Sequence, residues 1–203
     1  MSEIPGILPS QEMDAAIASG VISADLAIPD GQVQPASIDL RLSNTAYRVR
    51  ASFLPGANAT VADKLKNFTM HKIDLTDGAV LEKGCVYIVP LQESLKLPAD
   101  TSGMANPKSS TGRLDIFTRV ITDGAAEFDR IEAGYSGPLY AEISPLTFSV
   151  LVHPGSRLSQ LRLRRGEFEV ADGVAFTVDL TGFEVDDQAK KIVGYKAKQH
   201  AGV

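Results

Sequence analysis

Residues 106–117 read NPKSSTGRLDIF, and between Lys108 and Arg113 they hold two cations, three hydroxyls and a glycine. Side chains this polar and this close together do not fill a core. Backbone amides at the start of a short helical turn, hydroxyl donors and a cation at each end converge well on phosphate oxygens. A nucleotide-binding P-loop is excluded, because it needs Gly, four residues and then Gly-Lys-Ser/Thr, and here lysine precedes glycine. The plain alternative is a Ser/Thr-rich capped turn with a solvated lysine and arginine.

A second candidate lies in GYSGPLYAEISP, residues 134–145. Strand alternation puts Leu139, Ala141 and Ile143 on one face and Tyr140, Glu142 and Ser144 on the other. The first face is core. Glu142 is then a carboxylate in an otherwise apolar strand, where desolvation raises a carboxyl pKa toward the range a general base and acid needs near neutral pH. A strand glutamate is more commonly exposed, or paired across the sheet with an arginine.

The elements that must hold these groups follow from the rest of the chain. Its 203 residues, 44% hydrophobic and 22% charged, suffice for one well-buried globular core. A net charge of −5 argues against an extended nucleic-acid surface, so a polyanion would be small and met locally by Lys108 and Arg113. The single Cys85 lies in the apolar run GCVYIV and reads as a buried thiol in a reducing compartment. No apolar run reaches membrane-spanning length and MSEIPGILPSQEM is not signal-like, so a cytoplasmic protein without membrane contact is expected.

One helix is expected from Ser10 as N-cap, with Met13, Ala16 and Ile17 on one face and Gly20 past its end. A weaker one is expected over 61–67. Beyond these, short runs such as ASIDLRL, TAYRVR, GCVYIVPL, DIFTRVIT, PLYAEIS, FSVLV, RLSQLRL, FEVAD and VAFTVDL alternate with turn residues. That spacing predicts a β-barrel or sandwich. His71, His153 and His200 are scattered, and neither H-x-E nor P-C-x-x-C occurs, so the zinc deaminase signature is missing.

Four ordered motifs carry a resemblance: VQPASIDLRLSN from Val33, NPKSSTGRLDIF, IEAGYSGPLYAEIS and HPGSRLSQLRL. Together they resemble the dCTP deaminase and dUTP diphosphatase superfamily, and the deaminase branch most closely. The resemblance runs from Val33 to Leu163, with a weaker echo in GYKAKQ. It implies a mainly β protein, a distorted jelly-roll or β-barrel of the dUTP diphosphatase-like type with a short N-terminal helix. As one domain over 1–203, it would comprise a lead-in (1–32), a core (33–170) and C-terminal strands with a phosphate lid (171–203). The implied reaction is hydrolytic deamination of dCTP to dUTP and ammonia, without zinc and with Mg²⁺ carried by the triphosphate. By the same resemblance Lys108 and Ser110 contact the triphosphate, Ser109 and Arg113 sit in the reaction pocket, and Glu142 activates water. Such proteins are trimers with sites at subunit boundaries, so a homotrimer or pseudo-trimeric assembly is expected. The chain resembles the first half of longer two-domain bacterial deaminases.

Departures from the family pattern mark further positions. Glu132 stands where an aspartate usually serves the sugar or the attacking water, and Ile121-Thr122 replaces a Thr-Ala pair, which makes Thr122 a candidate base contact. GAAEF, residues 124–128, reads as a short insertion. In GYKAKQ, Tyr195 is kept but Gly194 replaces a lysine, leaving Lys196, Lys198 and Gln199 to complete the lid. Asp39 and Arg157 read as framework residues, and Arg164 and Arg165 as solvated. A glutamate at 142, where diphosphatases carry an apolar residue, favours deamination over dUTP hydrolysis. A bifunctional enzyme giving dUMP and a non-catalytic nucleotide-binding domain are the alternatives.

Overall fold

A computed structural model describes residues 5–166, 183–185 and 188–192. The chain divides into two compact units, Met1–Glu167 and Phe168–Val203. The first begins β1 (Gly6–Ile7), α1 (Ser10–Ala18), β2 (Ile22–Ala24), β3 (Val33–Gln34), β4 (Ser37–Arg41), β5 (Thr45–Val49), α2 (Val61–Phe68) and β6 (Thr69–Asp74). It continues β7 (Ala79–Leu81), β8 (Val86–Lys96), β9 (Thr101–Pro107), α3 (Ser109–Arg113), β10 (Ile116–Thr122), β11 (Arg130–Ile131), β12 (Ser136–Pro145), β13 (Val150–Val152) and β14 (Arg157–Arg165). In the second unit β15 (Phe183–Val185) and β16 (Gln188–Ile192) pair antiparallel. The runs FEVAD and VAFTVDL lie outside the described residues.

Alternation explains why the first unit closes into two layers. Ile38 and Leu40 of β4, Ala105 of β9, and Leu161 and Leu163 of β14 bury against Val89, Leu91, Val120, Leu139, Ala141 and Ile143 of β8, β10 and β12. The first sheet runs β11-β9-β14-β4-β3 with β1 on β14, and the second runs β10-β12-β8-β5-β6 with β2 on β8. Every pairing is antiparallel. This is the mainly β, jelly-roll-like sandwich that the motif order implies. The sheets meet through a Leu42–Leu91 bridge between the end of β4 and β8. Beside it the buried Arg41 donates from Nε to Glu93 Oε1 at 2.7 Å, and Gln32 donates to the same oxygen at 2.7 Å.

The far side of the second sheet carries its own apolar cluster. Val49, Ile88, Ile121 and Tyr140 pack there beneath Val61 and Leu65 of α2, with Phe53 and Ala125 alongside. Helix α2 is capped by Thr60, whose hydroxyl accepts from the Asp63 amide at 3.1 Å. The expected cap of α1 is displaced by one residue: Pro9, extended at φ −73°, is the N-cap, and its carbonyl takes the amides of Glu12 and Met13. Ser10 makes no side-chain cap, because the proline already sets the entry angle.

Candidate active site

Glu142 lies mid-strand on β12, directly opposite Arg119 of β10. The strand alternates as expected, with Leu139, Ala141 and Ile143 in the main core and Tyr140 in the second cluster. Glu142 therefore lies on the α2 side of the sheet, yet it is only 2% exposed. A buried carboxylate needs a cation and hydrogen bonds to remain charged. Arg119 supplies both, from Nη2 at 2.5 Å and Nε at 3.2 Å, each to Oε1. Oε2 is buried with no hydrogen-bond partner among the described residues. An orphaned carboxylate oxygen at a sheet face is a proton acceptor in want of a donor.

Around this pair the sheet face is partly aromatic. The Arg119 guanidinium lies over the Phe128 ring at 3.4 Å and the Phe117 ring at 4.8 Å, and donates to Ser52 Oγ at 3.0 Å. Asp129 follows in the chain at φ 65°, with Oδ1 accepting from the Val120 amide at 2.7 Å. Burial pushes the Asp129 pKa up, the Val120 amide and Arg119 pull it down, and Glu142 adds to the rise.

The Lys-Ser-Ser-Thr-Gly-Arg run forms α3, a single short turn between β9 of one sheet and β10 of the other. Thr111 is buried and anchors the turn by donating to the Leu158 carbonyl at 2.9 Å. Ser109, Ser110 and Arg113 are exposed. None of the three makes a side-chain hydrogen bond or ion pair among the described residues. Lys108 is held differently, with Nζ bonded to Asp39 Oδ2, while Arg157 lies 3.8 Å from that oxygen and donates to the Gly31 carbonyl. Asp39 is buried, and its Oδ1 has no hydrogen-bond partner among the described residues. Among the described residues the turn therefore offers unpaired serine hydroxyls and an unpaired guanidinium, beside a lysine held by Asp39.

Residues 4–167 match the family model described as the N-terminal domain of 2'-deoxycytidine 5'-triphosphate deaminase. The chain belongs to the dCTP deaminase family. A dCTP deaminase of Halorubrum lacusprofundi is 31% identical over 73% of each chain. A Beutenbergia cavernae protein described as dCTP deaminase, dUMP-forming, is 28% identical over 76% of this chain and 77% of its own. The crystal structure of 2'-deoxycytidine 5'-triphosphate deaminase from Agrobacterium tumefaciens is 61% identical and superposes with a TM-score of 0.79. That match covers 81% of this chain and 50% of the other, so the chain spans half the length of that relative.

Within this dCTP deaminase fold the expected residues fall into separate groups. Glu142 and Lys108 do not share a face. Asp39, which holds Lys108, alternates with the core residues Ile38 and Leu40 and so points away from the core on the first sheet, whereas Glu142 does so on the second. Thr122 is buried opposite Leu139, on the core side of β10 and so not on the face of Glu142. Glu132 is exposed and ion-paired to Arg130 at 3.0 Å. Tyr195, Lys196, Lys198 and Gln199 lie outside the described residues. Arg165 corrects the solvated reading: it is 18% exposed and meets Glu12 at 2.6 Å. Among the described residues, no three His, Cys, Asp or Glu side chains group to hold a metal ion, and no helix is long and apolar enough to cross a membrane.

Arg119, Ser52 and Phe128 were not singled out by sequence. The signal for Arg119 is the register of β10 against β12, which requires knowing that the two strands pair. The loops bearing Ser52 and Phe128 have no periodicity to read.

Proposed function

We propose that this chain deaminates dCTP hydrolytically to dUTP and ammonia, taking the nucleotide as its Mg²⁺ complex. The observation that carries the reading is the Glu142 carboxylate, buried, fixed at Oε1 by Arg119 and left open at Oε2. A water at Oε2 gives up a proton to the carboxylate as its oxygen bonds to C4 of the cytosine and the C4–N3 double bond opens, and Glu142 passes that proton to N3. Glu142 then takes the remaining proton of the C4 hydroxyl and delivers it to the exocyclic nitrogen, the C4–N bond breaks, ammonia leaves and a C4 carbonyl remains. One group thus serves as base and then acid. No zinc is invoked, in keeping with a sequence that lacks the zinc deaminase motifs.

Lys108 and Ser110 are assigned to the triphosphate, with Ser109 and Arg113 at the base. Because Lys108 and Glu142 stand on different sheets, we assign each complete site to two copies of the chain in a homotrimer or pseudo-trimer. One copy supplies the α3 turn and its neighbour supplies Glu142. A symmetric closed ring makes such sharing repeat at every boundary. The reducing cytoplasm suits the free Cys85 thiol.

A second reading, deamination followed by hydrolysis to dUMP, has the printed description of the Beutenbergia relative in its favour. One assay separates the two: the pure protein is incubated with dCTP and Mg²⁺, with a chelator control, and dCTP, dUTP, dUMP and ammonia are resolved. Deamination alone gives dUTP and ammonia in equal amounts. Accumulation of dUMP establishes the bifunctional reading, and no ammonia at all overturns both.

A further inference from the structure

We infer that Arg119 is the positioning residue of Glu142, and that Phe128, from the 124–128 segment, fixes Arg119 in that role. The inference rests on the deamination reading and goes beyond it. It names groups that act through the carboxylate and do not touch the nucleotide.

Arg119 is placed by the sheet itself, opposite Glu142 in the β10–β12 register. Two of its nitrogens, Nε at 3.2 Å and Nη2 at 2.5 Å, reach the same oxygen, Oε1. A carboxylate caught by a planar fork at one oxygen cannot turn about its own axis without losing both bonds. The other oxygen is thereby assigned a single place. The fork is held in turn. Nη2 also donates to Ser52 Oγ at 3.0 Å, and the guanidinium lies over Phe128 at 3.4 Å and Phe117 at 4.8 Å. Cation–ring stacking of a partly desolvated guanidinium is favourable and directional.

Phe128 owes its place to the segment that departs from the family pattern. Ala125 is buried in the second apolar cluster and its carbonyl accepts from Gly56, while the Gly124 amide donates to Ala59. Asp129 then closes the segment onto β10 through both its own amide, which donates to the Val120 carbonyl, and its carboxylate, which accepts from the Val120 amide. The insertion is thus pinned at each end, with the aromatic ring delivered onto the guanidinium. Lysine at 119 would keep the charge but offer a point donor without a plane, so it would neither fork nor stack.

The test compares Arg119→Ala, Arg119→Lys and Phe128→Leu with the parent, measuring kcat and KM for Mg²⁺–dCTP, thermal midpoint, and activity with added guanidinium ion. Misplacement of a reacting group by about 1 Å costs on the order of 10²-fold, so Arg119→Ala is expected to lose about that in kcat with KM within about threefold. Guanidinium should restore at least about tenfold of that loss. Arg119→Lys should remain impaired, and Phe128→Leu should fall between it and the parent. Should Arg119→Ala not fold, the lysine and leucine variants carry the same comparison. A folded Arg119→Lys with parent kcat, a loss confined to KM, or no response of Arg119→Ala to guanidinium overturns the inference. Parent protein that releases no ammonia from dCTP overturns the deamination reading itself, an outcome distinct from active parent with unaffected Arg119 variants.

Discussion

Two carboxylates near Arg119 are held in different ways, and their difference is measurable. Glu142 takes the fork of the guanidinium, whereas Asp129 accepts a backbone amide while burial pushes its pKa up from 3.8. A group that holds its proton more tightly when folded stabilises the fold below its unfolded pKa. That contribution is lost as pH rises through the folded value. Asp129 therefore makes the chain less stable as pH climbs out of the acid range. Asn at 129 tolerates the observed φ of 65° and keeps an oxygen for the Val120 amide. Urea midpoints of Asp129→Asn and the parent between about pH 4 and pH 7 should diverge in favour of the variant as pH rises. Parallel curves would show that Asp129 does not titrate in this window.

The turn that leads into β12 is an element-level device. Tyr135 donates to the Pro138 carbonyl at 2.6 Å and accepts from the Asp123 amide at 3.2 Å, so it ties the end of β10 to the start of β12. Burial pushes its phenol up to about 12. The hydroxyl passes where a Cβ on Gly137 would stand, at 2.7 Å. Gly137→Ala should then cost about 1–3 kcal/mol by overpacking, and Tyr135→Phe about 1 kcal/mol by removing hydrogen bonds to part-buried groups. Equilibrium denaturation of each variant checks both, and wild-type stability in either would remove the turn from the account. The alternation of β12 and β14 was legible because each has one core face and a period of two. Strand β9, TSGMANP, was not: its Gly, Asn and Pro read as a turn, and it is a strand because β14 and β11 pair with it on both sides. Strand β6, TMHKID, is largely exposed and carries no apolar face, so pairing with β5 alone defines it. The α3 turn was legible from its composition. An arginine paired with Glu142 across the sheet was the plain alternative read from sequence, and the structure shows it; that the arginine is Arg119 was not legible, since it is a fact of register between strands more than twenty positions apart in the chain.

At the scale of the whole molecule, a buried ion pair joins the two sheets, and the proposed site residues Lys108 and Glu142 belong to different ones. Arg41→Met would leave Glu93, fully buried, without its cation, at a cost of about 3–5 kcal/mol, read as a fall in urea midpoint. An unchanged midpoint would mean that Gln32 and the Arg41 amide suffice for the carboxylate. Division of the site predicts complementation. Mixing inactive Ser109→Ala with inactive Glu142→Gln should recover about a quarter of the parent sites by random assembly of a closed ring. Absence of recovery after subunit exchange would place both groups on one copy. The most direct measurement of the central claim is made on Glu142→Gln alone, since glutamine keeps an oxygen for Arg119 but puts an amide nitrogen, which cannot take up a proton, in place of Oε2. Ammonia release from Mg²⁺–dCTP should fall by about 10²–10⁴-fold while calorimetric affinity for the nucleotide stays within about threefold. Deamination by Glu142→Gln at the parental rate would contradict the account.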